Sequence, residues 1–413
     1  MLALSRSSLF QNGCLNLWLT CFISFFYQFI GVTAKGEQYV NFSNSSCQWD
    51  STIEDNPSVY WINLDKSELR RQHMENHLNS LKFRNTRIPA VTPRSPSYKI
   101  TKLQKPCKRN TEKDISAILS HLKAIHTALY DAKSSVRTKH GRNLDTVSVK
   151  ESRRHKLSDY ALIMEDDVQF AFQLNFTALI ASAPKNFGIL QLSTSNSEAL
   201  QQLWTTFKKQ SSLHYAALSS TFSSDRVNLF RNYGKDISSS VLWTPNHWNS
   251  RTHDGKTTLY WSAQAYLINK KVIKSFIDDV VEVSMDGSLS FKIVNSFFAR
   301  SCKRTKAFPC IVSNCLFADS YIYAGGGPTY VSHIPLFTGA AVGLASDMHQ
   351  THVETHKKGF DEIESIVQKV RHGKYALDMA EQDIASLKDN DNNDGFFIPS
   401  YIVNAGQCIP IAD

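Results

Sequence analysis

The sequence lacks several patterns that would place it in other classes of protein. Its eight cysteines include no Cys-x-x-Cys pair, which excludes the usual zinc spacing even where Cys302, Cys310 and Cys315 lie close together. No segment repeats internally, which excludes a repeat architecture. The densest basic stretch, residues 150–156, lies in a polar segment typical of a surface loop, so we expect no nucleic-acid partner. The net charge of +9 also suits an anionic membrane or phosphate-bearing small substrates.

The first 36 residues contain an export signal. An uncharged apolar run spans residues 15–32 and follows Arg6. It is short for a membrane-spanning helix, which needs about 20 apolar residues, and long for a cleaved signal core. Small residues at Val32-Thr33-Ala34 permit cleavage, so a secreted form is the alternative. We expect residues 1–36 to form a cytoplasmic tail and an uncleaved anchor, because the basic flank stays cytoplasmic.

Other features agree with a chain that lies in the lumen. We expect a single-pass type II protein of the Golgi or endoplasmic reticulum membrane. Asn41, Asn44 and Asn175 begin glycosylation sequons. Cys14 and Cys21 lie in or beside the apolar run, and the remaining six cysteines permit three disulfides whose pairing is open. Those six are Cys47, Cys107, Cys302, Cys310, Cys315 and Cys408.

Strands and helices are predicted to alternate, which indicates an α/β fold. After a stem at residues 37–57, we expect one large domain over residues 58–340 and a helical appendage over residues 341–413. The predicted strands span residues 59–64, 88–91, 160–164, 187–192 and 265–268, and the predicted helices span residues 67–81, 115–129, 270–281 and 360–387.

Three carboxylates close the third predicted strand, where Glu165, Asp166 and Asp167 follow an apolar run. Acidic residues between a parallel strand and its loop can hold a hard divalent cation while leaving room for substrate phosphates. This chemistry is typical of a sugar-nucleotide transferase. A solvated acidic loop is the alternative, because short acidic motifs recur by chance.

Other candidate residues lie upstream of the acidic motif. Asn63 and Leu64 end the first strand, where the crevice outside an α/β sheet receives a nucleotide. Arg70 is a candidate contact to phosphate or base, or otherwise an exposed helix arginine. His121 is a candidate donor or metal contact, although a packed histidine is the more common role.

Further candidates lie downstream. Asp319 is the candidate general base that takes the proton of an acceptor hydroxyl, with a helix N-cap carboxylate as the equal alternative. His333 is a candidate late metal ligand or a core histidine. Trp243, Trp248 and Trp261 flank a polar segment and could stack on sugars, although core packing is the more common role of tryptophan.

Several motifs together resemble glycosyltransferase family 25, which includes lipooligosaccharide and collagen galactosyltransferases. Their order and spacing are more specific than any one of them, and the resemblance covers residues 59–277. Beyond about residue 281 the chain departs from the family pattern. The motifs are Trp61-Ile62-Asn63-Leu64-Asp65 with Arg70-Arg71 and Met74, Arg87-Ile88-Pro89-Ala90-Val91, Ala117-Ile118-Leu119-Ser120-His121, Leu162-Ile163-Met164-Glu165-Asp166-Asp167-Val168 and Ala265-Tyr266-Leu267-Ile268-Asn269.

The resemblance implies a GT-A type nucleotide-sugar-binding sandwich that uses a UDP-hexose, with galactose expected, and commonly Mn²⁺. It implies that Asp166 and Asp167 contact metal or ribose and that Glu165 supports them. The acceptor would be a glycan or a protein in the secretory lumen, and the reaction would invert the anomeric carbon. A non-catalytic glycan-binding or scaffold protein and a secreted hydrolase with paired carboxylates are the alternatives.

Overall fold

The computed structural model describes residues 56–93, 95, 98–103, 111–131, 157–220, 242–246, 260–293, 317–340, 353–372, 399 and 401–403. These residues all belong to one compact unit of the chain. The helices are α1 (Glu68–Ser80), α2 (Glu112–Tyr130), α3 (Phe176–Ser182), α4 (Ser197–Ser220), α5 (Lys270–Val280), α6 (Ala318–Gly325) and α7 (Val353–His372). The strands are β1 (Ser58–Asn63), β2 (Asn85–Pro89), β3 (Tyr98–Leu103), β4 (Tyr160–Glu165), β5 (Val168–Phe170), β6 (Gln173–Leu174), β7 (Ile189–Gln191), β8 (Trp243–Pro245), β9 (Ala265–Asn269), β10 (Val281–Val283), β11 (Leu289–Ile293), β12 (Thr329–Ser332), β13 (Phe337–Gly339) and β14 (Ile402–Val403).

A seven-stranded sheet organises the fold, in the order β2-β1-β4-β9-β7-β12-β8. β1 pairs in parallel with both β2 and β4, and β12 pairs in parallel with β7. β9 runs antiparallel between β4 and β7, and β8 runs antiparallel at the edge. Five of the seven strands therefore end at the same edge of the sheet, where the loops of an α/β fold meet.

Helices cover both faces of this sheet. Alternating residues of β1 show the two faces, since Val59 and Trp61 enter one apolar core and Tyr60 and Ile62 the other. Helices α1, α3, α4 and α7 contribute to the first core, and helices α2, α5 and α6 to the second. The strands are buried on both faces, which is why their sequences are continuous apolar runs.

Helix α2 begins with a capping box. The Thr111 hydroxyl accepts from the Asp114 amide at 3.3 Å, and the Asp114 carboxylate accepts from the Thr111 amide at 2.7 Å. Near the middle of the helix, Ser120 Oγ accepts from the Val91 amide at 2.8 Å and so ties α2 to the chain that follows β2. This anchoring sets the position of His121.

The structure confirms a mixed α/β fold with helices on the sheet. The strands predicted at 59–64, 160–164, 187–192 and 265–268 correspond to β1, β4, β7 and β9. The helices predicted at 67–81, 115–129 and 270–281 correspond to α1, α2 and α5. Helix α4 was not predicted, and α7 begins before the predicted residue 360.

Residues beyond 340 contribute to the same core as the preceding chain. Ile363, Ile366 and Val367 of α7 are fully buried in the first apolar core, and β14 pairs with β6. The boundary expected at residue 340 therefore falls within one contiguous core.

Some predictions concern segments outside the described residues. These are the N-terminal anchor, the stem sequons and all eight cysteines. Among the helices in the described ranges, none has the length and apolar content needed to cross a membrane.

Candidate functional site

The acidic motif lies at the edge of the sheet where the parallel strands end. Asn63 is the last residue of β1 and Glu165 the last of β4, and Ile62 is the register partner of Glu165. Asp166 and Asp167 form the turn between β4 and β5. Because β1 and β4 are neighbours, their final polar side chains meet in one place.

Two side chains contact Asp166, one at each of its carboxylate oxygens. Asn63 Nδ2 donates to its Oδ2 at 2.5 Å, and the Arg70 guanidinium lies 3.3 Å from its Oδ1. All three residues are buried. Burial raises the pKa of Asp166 to about 6, while the charge of Arg70 and the Asn63 hydrogen bond oppose that rise. Both oxygens of Asp166 are therefore engaged by the protein itself.

Arg87 determines how the Asn63 amide is oriented. Its Nε donates to Asn63 Oδ1 at 2.8 Å, so the NH₂ group of Asn63 must face Asp166. Arg87 also pairs with Asp65 at 2.5 Å, in the turn that follows β1. Leu64 is half-buried in the same turn, where its carbonyl accepts from the Ser67 amide at 2.9 Å.

Asp167 differs from Asp166 in its partners. Its carboxylate is buried, and within the described residues its Oδ1 has no hydrogen-bond partner. Burial and the nearby charges of Glu165 and Asp166 raise its pKa well above the ordinary value. An unpaired buried carboxylate oxygen is costly, so it marks a position where a cation or a donor group would be stabilised.

The donor set fits a divalent cation that takes most of its ligands from elsewhere. Among the described residues no group of three or more His, Cys, Asp and Glu side chains is arranged as a metal site. Proteins nevertheless commonly hold Mg²⁺ and Mn²⁺ beside nucleotides with one or two carboxylates, and phosphate and water oxygens supply the other ligands. The unpaired Oδ1 of Asp167 can supply one of these carboxylate ligands.

A second chain of hydrogen bonds runs behind Glu165. His121 Nε2 lies 3.1 Å from Glu165 Oε1, and His121 Nδ1 lies 3.0 Å from the Tyr266 hydroxyl. Because an ionised carboxylate only accepts, Nε2 carries the proton, and in a neutral ring Nδ1 then accepts from Tyr266. His121 therefore positions Glu165, which remains about one-third exposed.

Asp319 lies beside this group, at the start of α6. Its Oδ1 accepts from the Ser320 amide at 2.7 Å and its Oδ2 from the Ser262 amide at 3.3 Å. Burial raises the pKa of Asp319, with a further rise from Glu165, while the two amides and His121 lower it. The contacts are those of a carboxylate at a helix N-terminus, and the carboxylate remains near Glu165.

His333 lies after β12, in the other half of the sheet from the acidic turn. It is buried, and its Nε2 lies 2.5 Å from Thr244 Oγ1. It follows β12, which is three strands from β4 in the sheet, a lateral separation of about 14 Å.

The tryptophans have different environments. Trp243 is buried and packs in the core, with its Nε1 donating to Ser182 Oγ at 3.2 Å. Trp261 is 43% exposed. Trp248 lies outside the described residues.

Sequence reasoning missed three residues that shape the site: Arg87, Tyr266 and Ser262. Arg87 had a usable signal, because a charged residue beside a short apolar run next to β1 is well placed to reach the end of that strand. Tyr266 had none, since its partner His121 is 145 residues away in the chain. Ser262 adopts a backbone φ of +118°, which side-chain chemistry does not predict.

Six of the predicted residues thus meet through direct contacts or chain neighbours: Asn63, Arg70, His121, Glu165, Asp166 and Asp167. No protein-family model matches the sequence, and no curated protein does. The arrangement can orient an anionic ligand through Arg70, accept a cation at Asp167 and accept hydroxyl protons at exposed carboxylate oxygens.

Proposed function

We propose that this protein is a metal-dependent glycosyltransferase with a GT-A type fold, of the family 25 kind. It would transfer a hexose, with galactose expected, from a UDP-sugar to a glycan or protein acceptor in the secretory lumen. The observation that carries the proposal is the carboxyl-end cluster, in which Asp166 is held by Asn63 and Arg70 while a buried oxygen of Asp167 stays unpaired.

The sheet edge supports nucleotide binding. Ligands of open α/β sheets bind outside the carboxyl ends of the strands, and Asn63 and Leu64 end β1 at this edge. Arg70 supplies a buried positive charge beside the acidic turn. In the proposed complex, Arg70 and the turn after β1 orient the nucleotide, and Glu165 and Asp166 border the ribose and diphosphate.

The two aspartates have different roles in this proposal. Asp167 would hold the cation, because its buried Oδ1 is unpaired, and Asp166 would support it from a fixed orientation. A bound divalent cation supplies Lewis-acid stabilisation for the charge that develops on the leaving diphosphate. Asn63, Arg70 and Arg87 keep the Asp166 carboxylate in place, so little reorganisation is needed when the donor binds.

Asp319 is the proposed general base. In an inverting transfer, a carboxylate takes the proton of the acceptor hydroxyl. The hydroxyl oxygen then bonds to the anomeric carbon as the bond from that carbon to the diphosphate breaks. Asp319 suits this role because burial and Glu165 raise its pKa and so its basicity. The Ser262 and Ser320 amides fix its orientation.

Turnover of a panel of nucleotide sugars with Mn²⁺ tests the proposal. We expect release of UDP from one donor, and its loss in Asp167→Asn, which keeps the side chain's shape but removes its charge. Asp361→Asn is the matched control, because Asp361 is exposed on α7 and remote from the acidic turn in sequence. A folded protein that binds no nucleotide, with or without metal, would contradict the proposal and favour a glycan-binding scaffold.

A further inference from the structure

A strained loop beside the acidic site presents an exposed tryptophan. Residues 260–264, here called the Ser262 loop, lead into β9. Ser262 has a φ of +118°, a region that non-glycine residues rarely adopt. Such outliers persist only where the surroundings hold them, and they cluster at functional sites.

Four side chains hold Ser262 in this conformation. Asp319 accepts from its amide at 3.3 Å, and Gln264 accepts from its hydroxyl at 2.9 Å. Its carbonyl accepts from the Tyr323 hydroxyl at 2.6 Å and from Gln191 Nε2 at 3.2 Å. The amide, the carbonyl and the hydroxyl of Ser262 are therefore all hydrogen-bonded, and these bonds hold its backbone in an unfavourable region.

The backbone of Trp261 is fixed as firmly, but its side chain faces solvent. Its carbonyl accepts from Thr194 Oγ1 at 2.5 Å and from the Ser195 amide at 3.1 Å. The residue as a whole is nevertheless 43% exposed. Large aromatic side chains usually bury their faces, so an indole held at the surface by a rigid backbone is positioned for a ligand.

The surroundings of Trp261 indicate the chemistry of that ligand. Phe317 is 37% exposed and lies two residues before Asp319, whose carboxylate bonds the amide next to Trp261. Trp261 and Phe317 are thus exposed aromatic residues within two residues of the hydrogen bond that joins Ser262 to Asp319. Aromatic side chains near a carboxylate suit a hexose, which offers an apolar C–H face for stacking and hydroxyl donors for a carboxylate.

The Ser262 loop is also joined to the acidic motif. The Gln264 carbonyl accepts from the Glu165 amide at 2.8 Å. Trp261 is three residues from Gln264, and three residues span at most about 11 Å. A sugar on Trp261 therefore lies within reach of a donor bound at Asp166 and Asp167.

From these contacts we propose that Trp261, with Phe317 and Asp319, forms a subsite for a hexose ring of a glycan acceptor. This inference rests on the proposed glycosyltransferase function for its place in the reaction. It assigns the acceptor to the glycans, because the subsite combines stacking faces with a hydroxyl acceptor. The hydrogen bonds to the backbone of Trp261 and Ser262 keep this part of the loop in position before the acceptor arrives.

Saccharide binding to the full-length protein, without any nucleotide, tests the subsite. Saturation-transfer NMR with a panel of methyl hexopyranosides and lactose would report contact, and titration would give each Kd. We expect Trp261→Ala to weaken binding by about tenfold or more and Trp261→Phe to retain most of it, because phenylalanine keeps a stacking face. Met285→Ala is the control, since Met285 is a fully exposed apolar residue in the turn between β10 and β11.

The outcomes separate this inference from the proposed function. Binding of a saccharide that is lost in Trp261→Ala and kept in Met285→Ala supports the subsite, whether or not UDP binds. Binding of no saccharide, or equal binding by Trp261→Ala and the parent protein in a fold verified by circular dichroism, would overturn it. Failure of UDP to bind would overturn only the transferase proposal.

Discussion

Asn63 connects two charged side chains, and its contribution can be measured at the scale of one residue. It donates to Asp166 at 2.5 Å and accepts from Arg87 at 2.8 Å, in a buried position. Removing the Asn63 side chain would take a hydrogen-bond donor away from the buried carboxylate of Asp166. Hydrogen bonds to charged groups contribute about 1.5–3 kcal/mol to stability.

We therefore expect Asn63→Ala to lower the free energy of unfolding by about 1.5–3 kcal/mol, measured by urea denaturation at neutral pH. The same variant should lose nucleotide binding, because Asp166 is no longer oriented. Gln72→Ala is the control on the neighbouring helix, since Gln72 is exposed and its side chain donates to the exposed Glu68 on the same helix. Equal stabilities of Asn63→Ala and Gln72→Ala would contradict the role given to Asn63.

A histidine pair on α1 predicts how stability depends on pH. The rings of His73 and His77 stack with their centroids 6.0 Å apart, and their Nε2 atoms are buried without a partner in the described structure. Burial, together with the charge of His73, lowers the pKa of His77 from 6.5 to about 4. The folded state therefore keeps His77 neutral in a range where the unfolded chain binds a proton.

Stability should accordingly fall as the pH falls from 6.5 towards 4, because over that range the unfolded chain binds the additional proton. His77 contributes a slope of up to about 1.4 kcal/mol per pH unit. His77→Phe should show a shallower slope over this window in urea denaturation at several pH values. The difference between the variant and the parent should be constant above pH 6.5, and identical slopes below it would rule out His77 as the source.

At the scale of elements, a glycine allows α7 to dock on the chain that leads into α4. A Cβ at Gly359 would collide with the backbone carbonyl of Ser195. Since the obstacle is backbone and not a flexible side chain, the helix would have to move. This contact tests whether α7 is part of the core, as its buried face indicates.

We expect Gly359→Ala to destabilise the fold by about 2–3 kcal/mol, even though alanine favours helices. The exposed Lys358→Ala on the same helix is the matched control and should change stability by no more than about 0.5 kcal/mol. Urea denaturation of both variants measures the difference. A Gly359→Ala protein as stable as the parent would show that α7 can shift without cost.

The local pattern of apolar residues predicted most elements near the site, but not their arrangement. Residues 59–64 and 160–164 form continuous apolar runs, so β1 and β4 follow from periodicity and burial. The antiparallel insertion of β9 between β4 and β7 depends on pairings across more than 70 residues, which no local pattern encodes. Helix α4 was missed although its local signal is present, because apolar residues recur at helical spacing in its first three turns and are buried there: Ala199, Leu200, Leu203, Trp204 and Phe207.

The same limit applies to the site. Glu165, Asp166 and Asp167 were predictable because an acidic run at a strand end is a local signal. That Asp166 is saturated by Asn63 and Arg70 while Asp167 is not depends on the pairing of β1 with β4 and on the packing of α1. The different contacts of the two aspartates could therefore be known only from the three-dimensional structure.

At the scale of the whole molecule, the sheet edge, the acidic turn and the Ser262 loop form one continuous region. The turn after β1 would receive the nucleotide, Asp167 the cation and Trp261 the acceptor. Glu165 joins these parts, because its amide bonds Gln264 of the Ser262 loop and its carboxylate contacts His121. In the proposed function, the order of these parts along the edge corresponds to a donor site beside an acceptor site.

The most direct measurement of the central claim is a calorimetric titration of UDP into the purified protein with and without Mn²⁺. The account predicts binding that requires Mn²⁺ and that weakens by about 100-fold in Asp167→Asn, because the unpaired oxygen of Asp167 is the proposed cation ligand. Asp361→Asn should bind as the parent protein does. UDP binding that is equally tight without Mn²⁺, or unchanged in a folded Asp167→Asn protein, would contradict the account.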